Sequence, residues 1–275
     1  MNAILPDNKY IEKPDQKILT IYTGDKYLSF SLHNPAERGS FFFKELTEEN
    51  QVDAFTVLKE AFLNNEFFAL PFRKVLVMSH TPTFTYIPNS VYKGTNEEDF
   101  MQFLFTDHKG ITLNHTISIA ECKVLFKLTE DIYNFALRSF AKPEFIHYSE
   151  PLITFFLKNS KSFKNRRMIV NLKENGLDIF CFSRKTFLLG NYFKCNNIQE
   201  ALYFILFTWK QLQFNQLDDS LYFWGDISFG DELKEKLKQY LQQVFPLEFP
   251  AANHFESVET SRIPIELAML SVCGL

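Results

Sequence analysis

Side chains able to bind a metal, attack a substrate or carry a proton are scattered along this chain rather than grouped. The cysteines Cys122, Cys181, Cys195 and Cys273 include no Cys-x-x-Cys pair. A zinc site draws its thiolates in close pairs, because one turn must aim two of them at one ion. The spacing therefore points to four free thiols, buried or half-buried, that behave as small apolar side chains. The six histidines, His33, His80, His108, His115, His147 and His254, never fall at His-x-x-x-His spacing. His80 follows a short apolar run and reads as a loop or surface residue. No Gly-x-Ser-x-Gly elbow and no Walker loop occurs. Asp25 reads as a turn residue and Asp226 as a helix-flanking one. Glu150 opens a helix, where an acid stabilises the positive end. Lys158, Lys161, Lys164, Arg166 and Arg167 form an acid-free basic stretch. No stacking aromatics or nucleic-acid module accompany it, so it reads as a solvated linker.

Composition narrows the classes further. The 275 residues suffice for one large domain or two modest ones. Hydrophobic residues make up 46% and Phe alone numbers 32, ample for two cores. A net charge of -4 gives no overall attraction to nucleic acid or to an anionic membrane. The opening residues lack a charged segment followed by a long apolar one, so no secretory leader is expected. The longest apolar run, Ala201 to Phe207, is too short to span a bilayer. Together with unpaired thiols this suits the cytoplasm.

The elements that must position these residues follow from periodicity. Ile18 to Tyr22 and Tyr27 to Leu32 read as a hairpin turning at Gly24-Asp25. Ser40 to Leu46 is a third strand, and Phe41-Phe42-Phe43 must send at least one ring away from its own core. Thr47 caps a helix carrying Val52, Phe55, Leu58 and Phe62. Lys74 to Met78 is a strand. Thr95 to Leu104, a strand at Lys123 to Leu128, a helix after Thr129, a strand at Phe145 to Tyr148 and a helix from Ser149 follow. Arg167 to Leu172, Leu177 to Phe182 and Lys185 to Phe193 then repeat the three strands, turning at Asn175-Gly176. Asn197 caps a helix with Glu200 completing a capping box. Ser220 to Trp224 is a strand, Asp231 to Val244 an amphipathic helix, and Pro264 to Val272 a final helix. Gly24 and Gly176, Thr47 and Asn197, and Lys74 and Ser220 stand at nearly one offset (152, 150 and 146 residues). Strand-strand-strand-helix-strand thus occurs twice, which reads as an internal duplication.

Two such copies resemble the actin-like ATPase fold, which includes actin, sugar kinases, large heat-shock chaperones and cytoplasmic scaffolds of pilus assembly. Ser149-Glu150-Pro151-Leu152 looks like the Glu-Pro that starts the linking helix of chaperone-type members. Ala268 to Leu275 resembles a closing helix ending in Gly-Leu. The chain is also similar to an uncharacterised bacterial family with this fold to which no activity is assigned. The resemblance implies two duplicated ribonuclease-H-like α/β halves, each a mixed five-stranded sheet flanked by helices. The halves would be residues 1–160 and 161–275. It also implies a nucleotide cleft touching Gly24, Asp25, Asn171, Gly176, Gly225 and Asp226.

The chain departs from the working pattern at those positions. Family members that turn over nucleotide carry Asp-x-Gly on the first strand of each half, to hold metal-bound water near phosphate. Here Gly24 has no carboxylate before it on the strand, and Asn171 stands where the second aspartate is expected. Asn is a poorer magnesium ligand. Gly225 keeps one glycine of an expected pair, and Asp226 would repel phosphate. The leading expectation is a non-catalytic scaffold or assembly partner, a pseudo-ATPase with no catalytic residues, no metal, no required ATP–magnesium cofactor and an unidentified protein partner. The alternative is a divergent ATPase or kinase using the interdomain cleft. A two-metal nuclease needs a carboxylate on the first strand, and Ile18 to Thr23 offers none.

Overall fold

Among the described residues, three sheets organise the chain. The computed structural model describes residues 11–24, 27–46, 53–94, 96–106, 109–162, 165–173, 175–225, 230–248 and 263–273. It divides into two units: residues 1–117, 121–152 and 249–275, and residues 118–120 and 153–248.

The first unit opens with β1 (Ile18–Thr23), β2 (Leu28–His33) and β3 (Phe42–Glu45), then α1 (Ala54–Asn64) and β4 (Lys74–Ser79). After β5 (Phe84–Pro88), α2 (Glu97–Leu104), β6 (Ile111–Ile117) and β7 (Cys122–Leu128) come α3 (Glu130–Ser139), β8 (Glu144–His147) and α4 (Ser149–Lys158), whose residues from Ile153 on belong to the second unit. The five-stranded sheet runs β3-β2-β1-β4-β8. β1 is antiparallel to β2 and parallel to β4. Every residue of β1 and β2 is buried, as expected of strands covered on both faces. Leu19, Ile21, Phe30, Leu32, Val75 and Val77 form one core with Leu58 of α1 and Ile132 and Ala136 of α3. Phe30 meets Phe42, Phe67 and Phe68 at centroid distances of 5.2–5.7 Å, geometry that adds to area burial. Phe42 thus faces the core, while Phe43 lies opposite Ser31.

The antiparallel sheet β5-β7-β6 was legible only at β7. Yet Ile111 to Leu113 alternates apolar and polar residues, the mark of a half-buried strand. The expected cap Thr47 lies outside the described residues. α1 is capped by Asp53, which accepts from the Thr56 amide at 3.0 Å and the Thr56 hydroxyl at 2.7 Å.

The second unit holds β9 (Arg167–Lys173), β10 (Gly176–Ser183), β11 (Thr186–Lys194), α5 (Ile198–Gln211), β12 (Ser220–Trp224), α6 (Gly230–Leu237) and β13 (Gln243–Pro246). Its sheet order, β11-β10-β9-β12-β13, repeats the first. Asn197 accepts from the Glu200 amide at 2.9 Å, while Glu200 reaches back to the Asn196 amide rather than to that of Asn197. The helix expected to run to Val244 instead ends at Leu237. Leu241 and Val244 still enter the core with Leu233 and Leu237, but Val244 does so from β13, paired with Leu221. Apolar spacing is satisfied either way. The parallel ladder and nearby Pro246, which a helix tolerates poorly, decide for a strand.

The basic stretch is not all solvated. Arg167 is fully buried, and its guanidinium donates to the Phe156 carbonyl at 2.6 Å and the Arg184 carbonyl at 3.3 Å. Arg166 lies 4.4 Å from the Phe214 ring centroid and donates to the Leu212 carbonyl at 2.8 Å. Lys158 and Lys161 are exposed, and Lys164 lies outside the described residues. The last helix, α7 (Ile265–Cys273), returns to the first unit with Ile265 to Leu270 buried. Among the described residues no helix is long and apolar enough to cross a membrane.

Candidate functional site

In open α/β sheets, ligands bind beyond the carboxyl ends of the parallel strands. In the second unit the β9–β12 ladder ends with Asn171 opposite Trp224, the last residue of β12. Asn171 is buried and also faces Asp178 across the hairpin to β10. Its side-chain amide donates to Asp178 Oδ2 at 3.2 Å, and Lys173 Nζ sits 2.7 Å from the same oxygen. The Asp178 side chain is fully buried. Sequence reasoning missed this carboxylate: a turn at Asn175-Gly176 sets Lys173 opposite Asp178, whereas Gly176 already belongs to β10 and the ladder pairs Lys173 with Gly176, Leu172 with Leu177 and Asn171 with Asp178.

The two glycines here are required by packing. A Cβ on Gly176 would meet the Tyr192 hydroxyl and come within 2.6 Å of the Phe193 carbonyl. Tyr192 in turn donates to the Asn175 carbonyl at 2.8 Å. Its hydroxyl is pushed above the usual tyrosine range by burial and by the Asp178 charge. Gly225 has φ +110°, and a Cβ there would run into the Leu172 carbonyl, so only glycine fits. Asp25 and Asp226 lie outside the described residues.

In the first unit Gly24 follows β1 and donates its amide to the Tyr27 carbonyl at 2.8 Å. It borders a hollow of about 530 Å³ lined by Thr23, Ser79, His80, Lys127 and Thr129, among others. His80, expected in a loop or on the surface, follows β4 in a loop and is half-buried between Tyr22 at 5.6 Å and Tyr148 at 4.6 Å, and its amide donates to the Thr23 carbonyl at 2.7 Å. The Thr23 hydroxyl is buried with no hydrogen-bond partner among the described residues. Two acids line the hollow, Asp53 and Asp131. Asp53 caps α1, and those bonds from Thr56 hold its carboxyl below the usual range. Lys127 is engaged by Glu98 at 2.7 Å. That ammonium, followed by the Thr112 hydroxyl, draws the Glu98 carboxyl down to about 2.

At the start of α4, Ser149 Oγ lies 2.7 Å from His147 Nδ1 and 2.5 Å from the Tyr86 hydroxyl. Serine beside histidine suggests a nucleophile. Both are fully buried, however, and the imidazole is walled by Phe84 at 4.4 Å and Tyr148 at 4.3 Å. The pair anchors the helix. Glu150 is buried and meets His115 Nε2 at 3.0 Å.

A family model described as a protein of unknown function, DUF3822, matches residues 6–244. The chain belongs to the DUF3822 family. No curated protein matches it. Among solved structures, this DUF3822 protein is similar to a Bacteroides thetaiotaomicron protein with actin-like ATPase fold and unknown function. The identity is 24%, with 98% of this chain and 99% of that one covered at a TM-score of 0.82. It also matches the PilM–PilN type IV pilus biogenesis complex (11% identity, 93% and 96% covered, TM-score 0.47). The ethanolamine utilization protein EutJ from Carboxydothermus hydrogenoformans matches as well (8% identity, 97% and 91% covered, TM-score 0.46). The first of these establishes the actin-like ATPase fold for the DUF3822 protein.

Proposed function

We propose that this DUF3822 protein is a non-catalytic member of the actin-like fold that serves as a scaffold or assembly partner. The observation that carries the reading is the state of Asp178. It lies directly across from Asn171, where the resemblance calls for a metal-seating acid, and it is buried against Lys173 Nζ at 2.7 Å. A magnesium ion needs oxygen ligands whose charge is not already met. Lys173 supplies that positive charge permanently, and Asn171 completes the arrangement with a neutral amide. The matching strand orders of the two sheets support reading the halves as duplicated copies. Outward-facing aromatics, Phe103 on α2 and Tyr203 and Phe207 on α5, support a protein partner. The four free, buried cysteines suit a cytoplasmic setting.

Calorimetry and thermal shift with ATP, with and without magnesium, test the catalytic half of the reading. The expected result is no saturable heat and no nucleotide-dependent rise in Tm. Saturable, magnesium-dependent ATP binding abolished by Asp178→Asn would overturn it and favour an ATPase or kinase. For the scaffold half, a stoichiometric complex recovered with the wild type is expected to be lost on Phe103→Asp or Phe207→Asp. A protein that stays uncomplexed in its own cell extract under mild cross-linking argues against a scaffold.

A further inference from the structure

His33, the last residue of β2, is 2% exposed, and neither ring nitrogen has a hydrogen-bond partner among the described residues. Buried polar atoms are nearly always satisfied, so such an orphan needs an explanation. The imidazole borders a hollow of about 180 Å³, shared with Asn34, Glu37, Arg38, Ser40 and Ser271. The turn that forms the hollow is held by its own bonds. Ser40 Oγ accepts from the Asn34 amide at 2.8 Å and donates toward the Glu37 carbonyl at 2.8 Å. Asn34 Oδ1 accepts from the Ala36 amide at 3.1 Å.

The capacity left over lies with donors. Arg38 makes no ion pair or hydrogen bond among the described residues, and it lines the hollow. Glu37, the acid on the same turn, takes a bond from Asn34 Nδ2 at 3.4 Å and sits in the field of the buried Lys17. The two groups with unused hydrogen bonds are therefore a guanidinium, with a planar fork of donors, and an imidazole that offers one N–H when neutral. Pro35 to Arg38 are exposed, so the hollow opens at this turn. Its volume far exceeds the minimum for a single water, about 10–15 Å³ on the same kind of measure.

We propose that the turn between β2 and β3 is a binding site for a small free oxyanion, a phosphate or short carboxylate, held by the His33 ring N–H and the Arg38 guanidinium. The site is independent of the strand-end residues and of the scaffold reading.

The test is a titration of the full chain, labelled with ¹⁵N-histidine, with sodium phosphate and separately with sodium acetate at constant ionic strength, followed by the His33 ring nitrogens. A saturable shift of the His33 signal, with the other described histidines unmoved, is expected for at least one of the two ions. Arg38→Gln, an exposed change that leaves the fold intact, should weaken that affinity at least tenfold. His33→Gln should abolish the thermal stabilisation that the same ion gives the wild type. A His33 signal that stays fixed up to high millimolar phosphate and acetate overturns the proposal. A drift that is linear in ion concentration, or unchanged by Arg38→Gln, also overturns it and leaves only water in the hollow.

Discussion

Replacing Lys173 by Met should destabilise the second unit far more than its surface position suggests. The substitution keeps the aliphatic stem and removes the ammonium that lies 2.7 Å from the fully buried Asp178. Removing one member of a buried ion pair leaves an uncompensated charge and costs about 3–5 kcal/mol. Lys173 is 20% exposed, so solvent softens the loss, and the low end, about 3 kcal/mol, is expected. Asp178→Asn should cost less, about 1 kcal/mol, because the Lys173 head can turn to water. In the double variant the two costs should fail to add, with a coupling of at least about 1 kcal/mol. Urea unfolding followed by tryptophan emission measures all three, since both tryptophans, Trp209 and Trp224, lie in the second unit. A Lys173→Met cost under about 1 kcal/mol, or strict additivity in the double variant, refutes the idea that Lys173 neutralises a trapped carboxylate.

Gly225→Ala places a Cβ against the Leu172 carbonyl at φ +110°, and should cost about 2 kcal/mol or more in the same urea assay. His33, pushed down to about 4 by burial, binds its proton more readily when unfolded. Stability should therefore fall as pH drops from about 6.5 toward 4, by up to about 3 kcal/mol, and His33→Gln should flatten that slope. The four cysteines are buried, with Cys122 raised to about 11 by burial first and then by the Glu150 charge. An aromatic disulfide reagent should find no fast-reacting thiol in the native protein and four after denaturation.

What the sequence disclosed depended on whether a local signal had one meaning. Glycine turns and apolar runs located the strands of the first five-stranded sheet and all but β13 of the second, because alternation and turn chemistry agree there. The stretch after Asp231 carried apolar residues at helical spacing, but Leu241 reaches the same core from the loop after α6 and Val244 from β13, and only the ladder with Leu221 separates the two readings. β6 carries alternation at Ile111 to Leu113, but the three successive polar residues Asn114, His115 and Thr116 blur it as a strand signal. Arg167 looked solvated because its partners are main-chain carbonyls of Phe156 and Arg184, which leave no trace in residue type. Among the strand-end residues, Asn171 was visible as a substitution. Asp178 was not, since its meaning lies in a cross-strand neighbour and in Lys173 together.

The return of α7 to the first unit has a bearing on how the polypeptide is made. Residues 153–248 are continuous, so that unit can close while still near the ribosome. The other waits for Ile265 to Leu270, which emerge only after residue 248, to cover its interior and for Cys273 to reach the Pro151 carbonyl. The half synthesised earlier is thus the half finished later, and until then it has apolar surface to shield from its neighbours.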